Sequence, residues 1–393
     1  MKIEQAAISR RLKPLKFPLR DTPHLTIETN RTCNLRCRSC YALDKGYIKE
    51  PAEVKKEIDL GLRKRNLETI TLLGGEPTLY PQLAEIVSYI KSKNLKCQIL
   101  TNGQRFLDAD GDDLLARLAA AGTDRVILHV DSGQADQRGD IEAVRKRLFT
   151  KLEKAGIHFS LSVTIYQEDA GVLPRLLKKY AGFRFFDGGL AVLHRDPATP
   201  ELTTPDMADE YRSFREEMGI EPAAYIPSNR DDRTVGWLIY LYYLDARTGK
   251  SFAVSPNFYG FFSRIHRIFA GRRPFANIQP PSRQGWLFLF TAVLEGLARP
   301  ARIRDVGRFL GRPPGIRSLA SLRFHFVAIQ TPPHWDAEKN GYEFCYHCPD
   351  ATIRNGKLTP VCIADLVNPL PGFASASIDR RLYEDAYTHL QEI

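Results

Sequence analysis

The sequence predicts an α/β fold: a partial (β/α)6 barrel with a basic, aromatic-rich insertion and a small C-terminal hairpin module. Three observations lead there. Between residues 23 and 195, six short β-rich runs alternate with helical runs, the order expected of parallel βα units. The glycine-rich and polar motifs of that region fall just past the ends of the β runs, where such folds build their sites. Three of the seven cysteines, Cys33, Cys37 and Cys40, stand within eight positions, directly after the first of these runs.

Residues 1–22 form a basic leader expected to pack outside the barrel. His24 to Asn30 alternates as a strand and feeds the cysteine loop. Helices are expected over Glu53 to Arg65, Tyr80 to Lys93, Asp110 to Ala121, Ile141 to Ala155 and Val172 to Tyr180; Gly122 and Gly156 stop two of them. The strands between them run from Glu68 to Leu73, Lys96 to Leu100, Arg125 to Val130, His158 to Tyr166 and Leu190 to His194. The loop motifs are then Gly74-Gly75-Glu76-Pro77 after the second strand, Thr101-Asn102 after the third and Asp131-Ser132 after the fourth.

Three thiolates at the spacing C-x3-C-x2-C can ligate three irons of a [4Fe–4S] cluster and leave the fourth open to a chelating cofactor. A zinc knuckle would want a fourth protein ligand, and this loop holds no other Cys or His. In Gly74-Gly75-Glu76-Pro77 the glycines permit close approach and positive φ, carbonyls and Glu76 can accept from an ammonium group, and Pro77 fixes the exit.

These motifs, in this order, resemble the radical S-adenosylmethionine (SAM) enzymes over residues 23–195. The resemblance implies a [4Fe–4S] cluster on Cys33, Cys37 and Cys40, with SAM on its open iron. It implies cofactor contacts from Gly74, Gly75, Glu76, Pro77, Thr101, Asn102, Asp131, Ser132, Thr164 and Tyr166. Ser39 stands where the family often carries an aromatic residue, so Tyr41 is expected to cover the adenine. An electron would come from a reductant such as flavodoxin or ferredoxin. His129, Asp131, Gln167 and His194 are open to two readings, proton-handling groups or hydrogen-bonded lumen residues. Cys97 is expected to be a small buried apolar residue.

Composition, with 43% hydrophobic and 26% charged residues, describes an ordinary globular chain. No apolar run reaches the ~20 residues that span a bilayer and no signal peptide is evident, so a cytoplasmic protein is expected. Cysteines grouped in two close triplets favour metal ligation over disulfides. The net charge of +10 is concentrated. Residues 233–323 hold 15 of the 56 bases and three of the 46 acids, a balance of +12 against −2 for the rest. The same stretch, inside an insertion spanning 196–330, holds 15 aromatics. Phe258 to Phe269 and Trp286 to Leu297 are expected as helices; Trp237 to Leu244 is a strand or short helix. Arginine with Phe and Trp on amphipathic segments suits an anionic membrane interface, which would make the protein peripheral, and a lipid-like or amphiphilic substrate. A plain helical cap with solvated arginines would have the same composition. RNA is the less favoured surface.

A second triplet lies in residues 331–393, which also hold an expected terminal helix. Cys345-Tyr346-His347-Cys348 is followed by two β-like runs around Asn355-Gly356, the strongest short hairpin signal. With that turn, paired positions place Cys362 opposite Pro349 and beside Cys348. The region resembles shortened auxiliary-cluster modules (SPASM or twitch type) of radical SAM enzymes, implying a second [4Fe–4S] cluster; structural zinc is the alternative. His347, Asp350, Asp365, water or substrate could complete the site. The expected activity is reductive cleavage of SAM and hydrogen abstraction from a lipid-like substrate. Modification of a peptide or protein side chain is the alternative, followed by RNA modification.

Overall fold

Strand β1 (His24–Asn30) pairs in parallel with β2 (Thr69–Gly74), and the order continues through β3 (Lys96–Thr101), β4 (Arg125–His129), β5 (His158–Ile165) and β6 (Phe186–Leu193). A computed structural model describes residues 8–38, 40–42, 46–194, 205–229, 231–275, 278, 280–310, 319–336, 341–345 and 348–368 of this arrangement. Helices α1 (Pro51–Lys64), α2 (Leu83–Ser92), α3 (Gly111–Ala121), α4 (Ile141–Ala155) and α5 (Val172–Lys179) connect the strands. Their ends follow local chemistry. The Asp140 carboxylate accepts from the Glu142 and Ala143 amides to start α4, and Gly156 at φ 66° ends it. The expected helix from Tyr80 begins later, because Pro77–Leu79 forms a separate 3-10 turn.

The sheet does not end at β6. After α6 (Met207–Met218) come β7 (Ala224–Pro227), β8 (Val235–Asp245) and β9 (Ser251–Ala253). Strand β10 (Leu322–Gln330) then lies parallel to β6 and antiparallel to β8, making one ten-stranded sheet. The insertion is thus built onto the barrel sheet. Strand β8 is buried along its whole length. Leu238, Tyr240, Tyr242 and Leu244 join the barrel core, while Trp237, Ile239, Leu241 and Tyr243 join a second core. A strand covered on both faces has no polar alternation, which is why sequence periodicity left helix or strand open here.

Helices α7 (Pro256–Ala270), α8 (Pro281–Ala298) and α9 (Ala301–Leu310) cover that second core. Nine of the 15 aromatics of the basic segment are buried, among them Trp237, Tyr243, Phe288 and Phe309. They are core residues, so the interleaving seen in the sequence combines an inner set with an outer one. Phe261, Phe262, Phe269, Trp286 and Phe290 form the outer set. Glu295 is buried and accepts from the Ser255 amide (2.7 Å) and Arg302 Nε (2.7 Å). Among the described residues no helix is long and apolar enough to cross a membrane.

Strands β11 (His334–Asp336) and β12 (Gly341–Glu343) form a small ribbon before the cysteines. The expected hairpin is present as β13 (Ala351–Arg354) and β14 (Lys357–Pro360), with Ala351 opposite Pro360 and Arg354 opposite Lys357. Asn355 (φ 48°) and Gly356 (φ 78°) make its turn. The first residues of the insertion, 196–204, and the expected terminal helix lie outside the described residues.

Candidate active site

The cysteine loop leaves β1 and is held by the Gly-Gly-Glu turn. Gly75 donates its amide to the Asn30 carbonyl (2.7 Å) and Glu76 donates to the Thr32 carbonyl (2.8 Å). Gly74 sits at φ +149°, and a Cβ there would lie 2.1 Å from the Asn30 oxygen. A Cβ on Gly75 would lie 2.3 Å from the Thr32 oxygen and 2.4 Å from that of Arg31. The close approach these glycines permit is therefore to the backbone of the cysteine loop itself.

Glu76 is buried, and its carboxylate accepts from four protein donors. Oε1 receives the Thr78 amide (2.9 Å), the Thr78 hydroxyl (2.5 Å) and the Thr101 hydroxyl (2.6 Å); Oε2 receives the Asn102 amide (2.8 Å). The residue expected to bind an ammonium group also fastens the ends of β2 and β3 together, with one acceptor position left on Oε2. Glu76→Ala is expected to weaken SAM binding by about ten- to hundred-fold, the worth of a charge-assisted hydrogen bond. Iron per chain should stay near wild type, since Glu76 touches no sulfur. Equilibrium dialysis with an iron assay checks both; unchanged SAM affinity would leave Glu76 a fastener only.

All seven cysteines are free thiols. Cys33 Sγ accepts from the Leu35 amide (3.4 Å) and Asn102 Nδ2 (3.9 Å), and Cys37 Sγ accepts from Gln134 Nε2 (3.4 Å). Burial pushes the Cys37 thiol up to about 11; Gln134 works against this, while Cys40, Asp131 and Cys33 add to it. Three neighbouring thiols in this setting cannot all ionise without cationic charge among them, which a bound iron–sulfur cluster supplies. The donor set fits the cluster. Among the described residues no three His, Cys, Asp or Glu converge on one metal ion. That is no obstacle to a cubane, where each thiolate takes its own iron.

The stretch after β4 clamps the loop from the other side. Arg38 donates its amide to the Gly133 carbonyl (3.3 Å), Arg36 donates to Gln137 Oε1 (2.5 Å), and Arg138 reaches the Asn102 carbonyl. Gln134, Gln137 and Arg138 are site residues beyond those expected from the sequence. The available signal was a polar run, Gln134 to Arg138, directly after a strand end.

Asp131 joins β4 to β5. Its carboxylate accepts from His129 Nε2 (2.6 Å), the Thr164 amide (2.8 Å) and the Gly133 amide (3.1 Å). Burial alone would raise its pKa, but His129 and the Thr164 bonds outweigh burial and hold it at about 2. His129 is held up in turn, since Asp131 outweighs the effect of burial. Asp131, Ser132, Arg145, Val163, Thr164 and Asp169 border a cavity of about 420 Å³ at the ends of β4 and β5. Ser132 bonds Asp169. Tyr166 is buried, with the Arg38 guanidinium 4.6 Å over its ring and the His194 ring tilted against it at 4.7 Å. Tyr41 donates to the Gly74 carbonyl (3.2 Å) beside Arg31, so it ties the loop to the glycine turn. Gln167 sits in a 3-10 turn after β5. Cys97 is buried in the barrel core.

In the second triplet Cys348 neighbours both Cys345 and Cys362, the latter as the hairpin register requires. Cys345 Sγ accepts from Trp237 Nε1 (2.8 Å). Cys348 is held well above the usual thiol range by its bond to Cys345 and by burial. Cys362 is raised by burial and by Cys348. Arg65 donates to the carbonyls of Cys348 (2.9 Å) and Pro349 (3.1 Å). Of the residues expected as possible fourth ligands, Asp365 is engaged by Arg31 and Arg354. Asp350 raises both Cys348 and Cys362 and also pairs with His24 at 3.0 Å. His347 lies outside the described residues.

Residues 27–179 match the family model described as the Radical SAM superfamily. An S-adenosylmethionine-dependent nucleotide dehydratase of Thermoplasmatales archaeon (strain ISO4-H5) is 32% identical over 117 residues, 29% of this chain and 39% of that protein. A probable GTP 3',8-cyclase of Thermococcus kodakarensis is 31% identical over 121 residues, 29% of this chain and 36% of that protein. Mycofactocin maturase MftC of Mycobacterium ulcerans is 26% identical over 177 residues, 42% of this chain and 46% of that protein. The chain thus spans less than half the length of these relatives. Streptococcus suis SuiB bound to S-adenosylmethionine superposes with a TM-score of 0.40 at 17% identity, covering 54% of this chain and 49% of SuiB.

Proposed function

Because the chain carries a radical SAM domain over residues 27–179, we propose that it generates a substrate radical from a lipid-like amphiphile presented at an anionic membrane surface. When bound, the cluster and SAM would supply the hard chemistry, one-electron cleavage of SAM leading to removal of hydrogen from an unactivated carbon of substrate. Cys33, Cys37 and Cys40 would hold the cluster, and Asn102 and Gln134 direct N–H groups at the Cys33 and Cys37 sulfurs. Gly74, Gly75 and Pro77 shape the turn beside it, with the free position of Glu76 Oε2 for the cofactor's ammonium. Asp131, Ser132, Thr164 and Tyr166 orient the rest of SAM, and Thr101 holds Glu76. Cys345, Cys348 and Cys362 hold an auxiliary [4Fe–4S] cluster. Flavodoxin or ferredoxin supplies the electron.

The membrane part rests on one observation. Of the eleven exposed large hydrophobic residues among those described, ten lie on α7 to α9. Ile268 (78% exposed), Phe269 (86%), Trp286 (73%) and Leu297 (77%) lead them. Clustered apolar exposure marks an interaction surface. Arg264, Arg283 and Arg304 on the same helices, and Arg299 just past the end of α8, are exposed, with no acidic partner among the described residues. Arg267, Arg272 and Arg302 are instead engaged by Asp21, Glu68 and Glu295. Only part of the +12 is therefore available to a partner, and an anionic surface complements it.

Sedimentation with anionic liposomes is expected, falling as salt rises because attraction decays over roughly 8 Å at physiological salt. Replacing Arg264, Arg283, Arg299 and Arg304 by Gln should weaken it by up to about 1 kcal/mol per charge. Phe269→Ser with Trp286→Ser should weaken it further by removing inserted rings. No sedimentation at low salt would remove the membrane from the account. A peptide or protein side chain is the second reading, favoured by the C-terminal cysteines and the match to a relative named as a maturase.

A further inference from the structure

Strand β1 carries three polar side chains at alternate positions, His24, Thr26 and Glu28, and all three are buried. Alternate positions share a face of a strand, so this face needs polar partners throughout. The C-terminal hairpin supplies them in order. His24 Nδ1 pairs with Asp350 Oδ1 (3.0 Å), the Thr26 hydroxyl donates to the Ala351 carbonyl (2.9 Å), and Arg354 Nε donates to Glu28 Oε2 (2.5 Å).

At the end of this row the contacts reach the cysteine loop. Arg31 donates to Asp365 through Nη1 (2.9 Å) and Nη2 (2.5 Å) and pairs with Glu28 (2.7 Å). Arg354 Nη2 reaches the same Asp365 at 3.0 Å. Two cations and two anions balance, with side chains between 1% and 9% exposed. Arg31 lies two residues before Cys33. Asp365 lies three residues after Cys362, on the short helix Ala364–Val367 that leaves the turn Val361–Ile363. Removing one member of such a network strands a buried charge, so the network holds as a unit.

We propose that Glu28, Arg31, Arg354 and Asp365 make the C-terminal cysteine module a positioning element for the cluster loop, so that metal bound at Cys345, Cys348 and Cys362 orders residues 31–38 at its root. This rests on the reading of both triplets as metal sites. Metal on Cys362 fixes the turn that aims Asp365, and Asp365 fixes Arg31 at the root of the loop. Coupling of this kind is reciprocal, so order in the loop also favours metal in the module.

The test uses the full chain, reconstituted anaerobically, as wild type, Cys362→Ser, Asp365→Asn and Asp365→Glu. Hydrogen exchange over residues 31–38 and the electron paramagnetic resonance spectrum of the first cluster, with and without SAM, are measured. Cys362→Ser is expected to speed exchange in this loop by about five- to hundred-fold, the usual range for coupled sites. The spectral response to SAM should broaden or disappear although Cys33, Cys37 and Cys40 are intact. Asp365→Asn should behave alike, and Asp365→Glu should restore the wild-type response. A Cys362→Ser chain that has lost metal from the C-terminal site, yet keeps wild-type exchange and spectra, overturns the proposal; this variant removes no buried charge, so the test stands even where Asp365→Asn fails to fold. Wild type that takes up no metal at the C-terminal triplet overturns the reading beneath the proposal instead.

Discussion

Replacing Cys33, Cys37 and Cys40 together by alanine is expected to lower the iron content from about eight per chain to about four, one cubane for each cysteine triplet. Each triplet is a separate set of neighbouring thiols, one after β1 and one bracketing the β13–β14 hairpin. The Cys33 and Cys37 sulfurs receive N–H donors from Asn102 and Gln134, which suit thiolate rather than thiol. The reverse replacement, of Cys345, Cys348 and Cys362, should leave about four irons as well. Iron and zinc assays on anaerobically reconstituted protein decide the matter. About four irons and one zinc in wild type would make the C-terminal site structural zinc.

Gly75→Ala is expected to empty the first site without touching its ligands. The new Cβ would fall 2.3 Å from the Thr32 oxygen and 2.4 Å from the Arg31 oxygen, both backbone atoms of the loop that carries Cys33. Backbone cannot swing aside as a side chain can, so the loop must move. It would then lose the bonds that Gly75 and Glu76 make to Asn30 and Thr32. Overpacking of this kind costs about 1–3 kcal/mol and occasionally more. Iron at the first site should fall below about one per chain, and the C-terminal site should keep most of its metal. Gly182→Ala is the control: a Cβ there meets nothing within 4 Å, and its effect should lie within about 0.5 kcal/mol of zero. Iron retained in Gly75→Ala would show that the loop has slack its backbone contacts do not suggest.

The barrel was legible because its signals are local. Helix ends at Gly122 and Gly156, strand ends at Gly74 and Thr101, and the Asn355-Gly356 register all follow from residues a few positions apart. What sequence could not supply was long-range pairing. Strand β10 inserts between β6 and β8, its pairing with β6 reaching back across more than a hundred residues, and no local pattern says which sheet edge it joins. The polar face of β1 was visible as His24, Thr26 and Glu28, but only the folded chain brings Asp350, Ala351 and Arg354 to it. The charge of residues 233–323 misled in part for the same reason: Asp21 and Glu68, outside the segment, engage Arg267 and Arg272.

The radical chemistry itself is tested most directly by 5′-deoxyadenosine. Anaerobically reconstituted protein is mixed with SAM and dithionite, and the products are separated by chromatography and identified by mass. 5′-Deoxyadenosine and methionine are expected in equal amounts from wild type, and neither above background from the chain lacking Cys33, Cys37 and Cys40. Wild type with a full complement of iron that leaves SAM intact would contradict the radical chemistry.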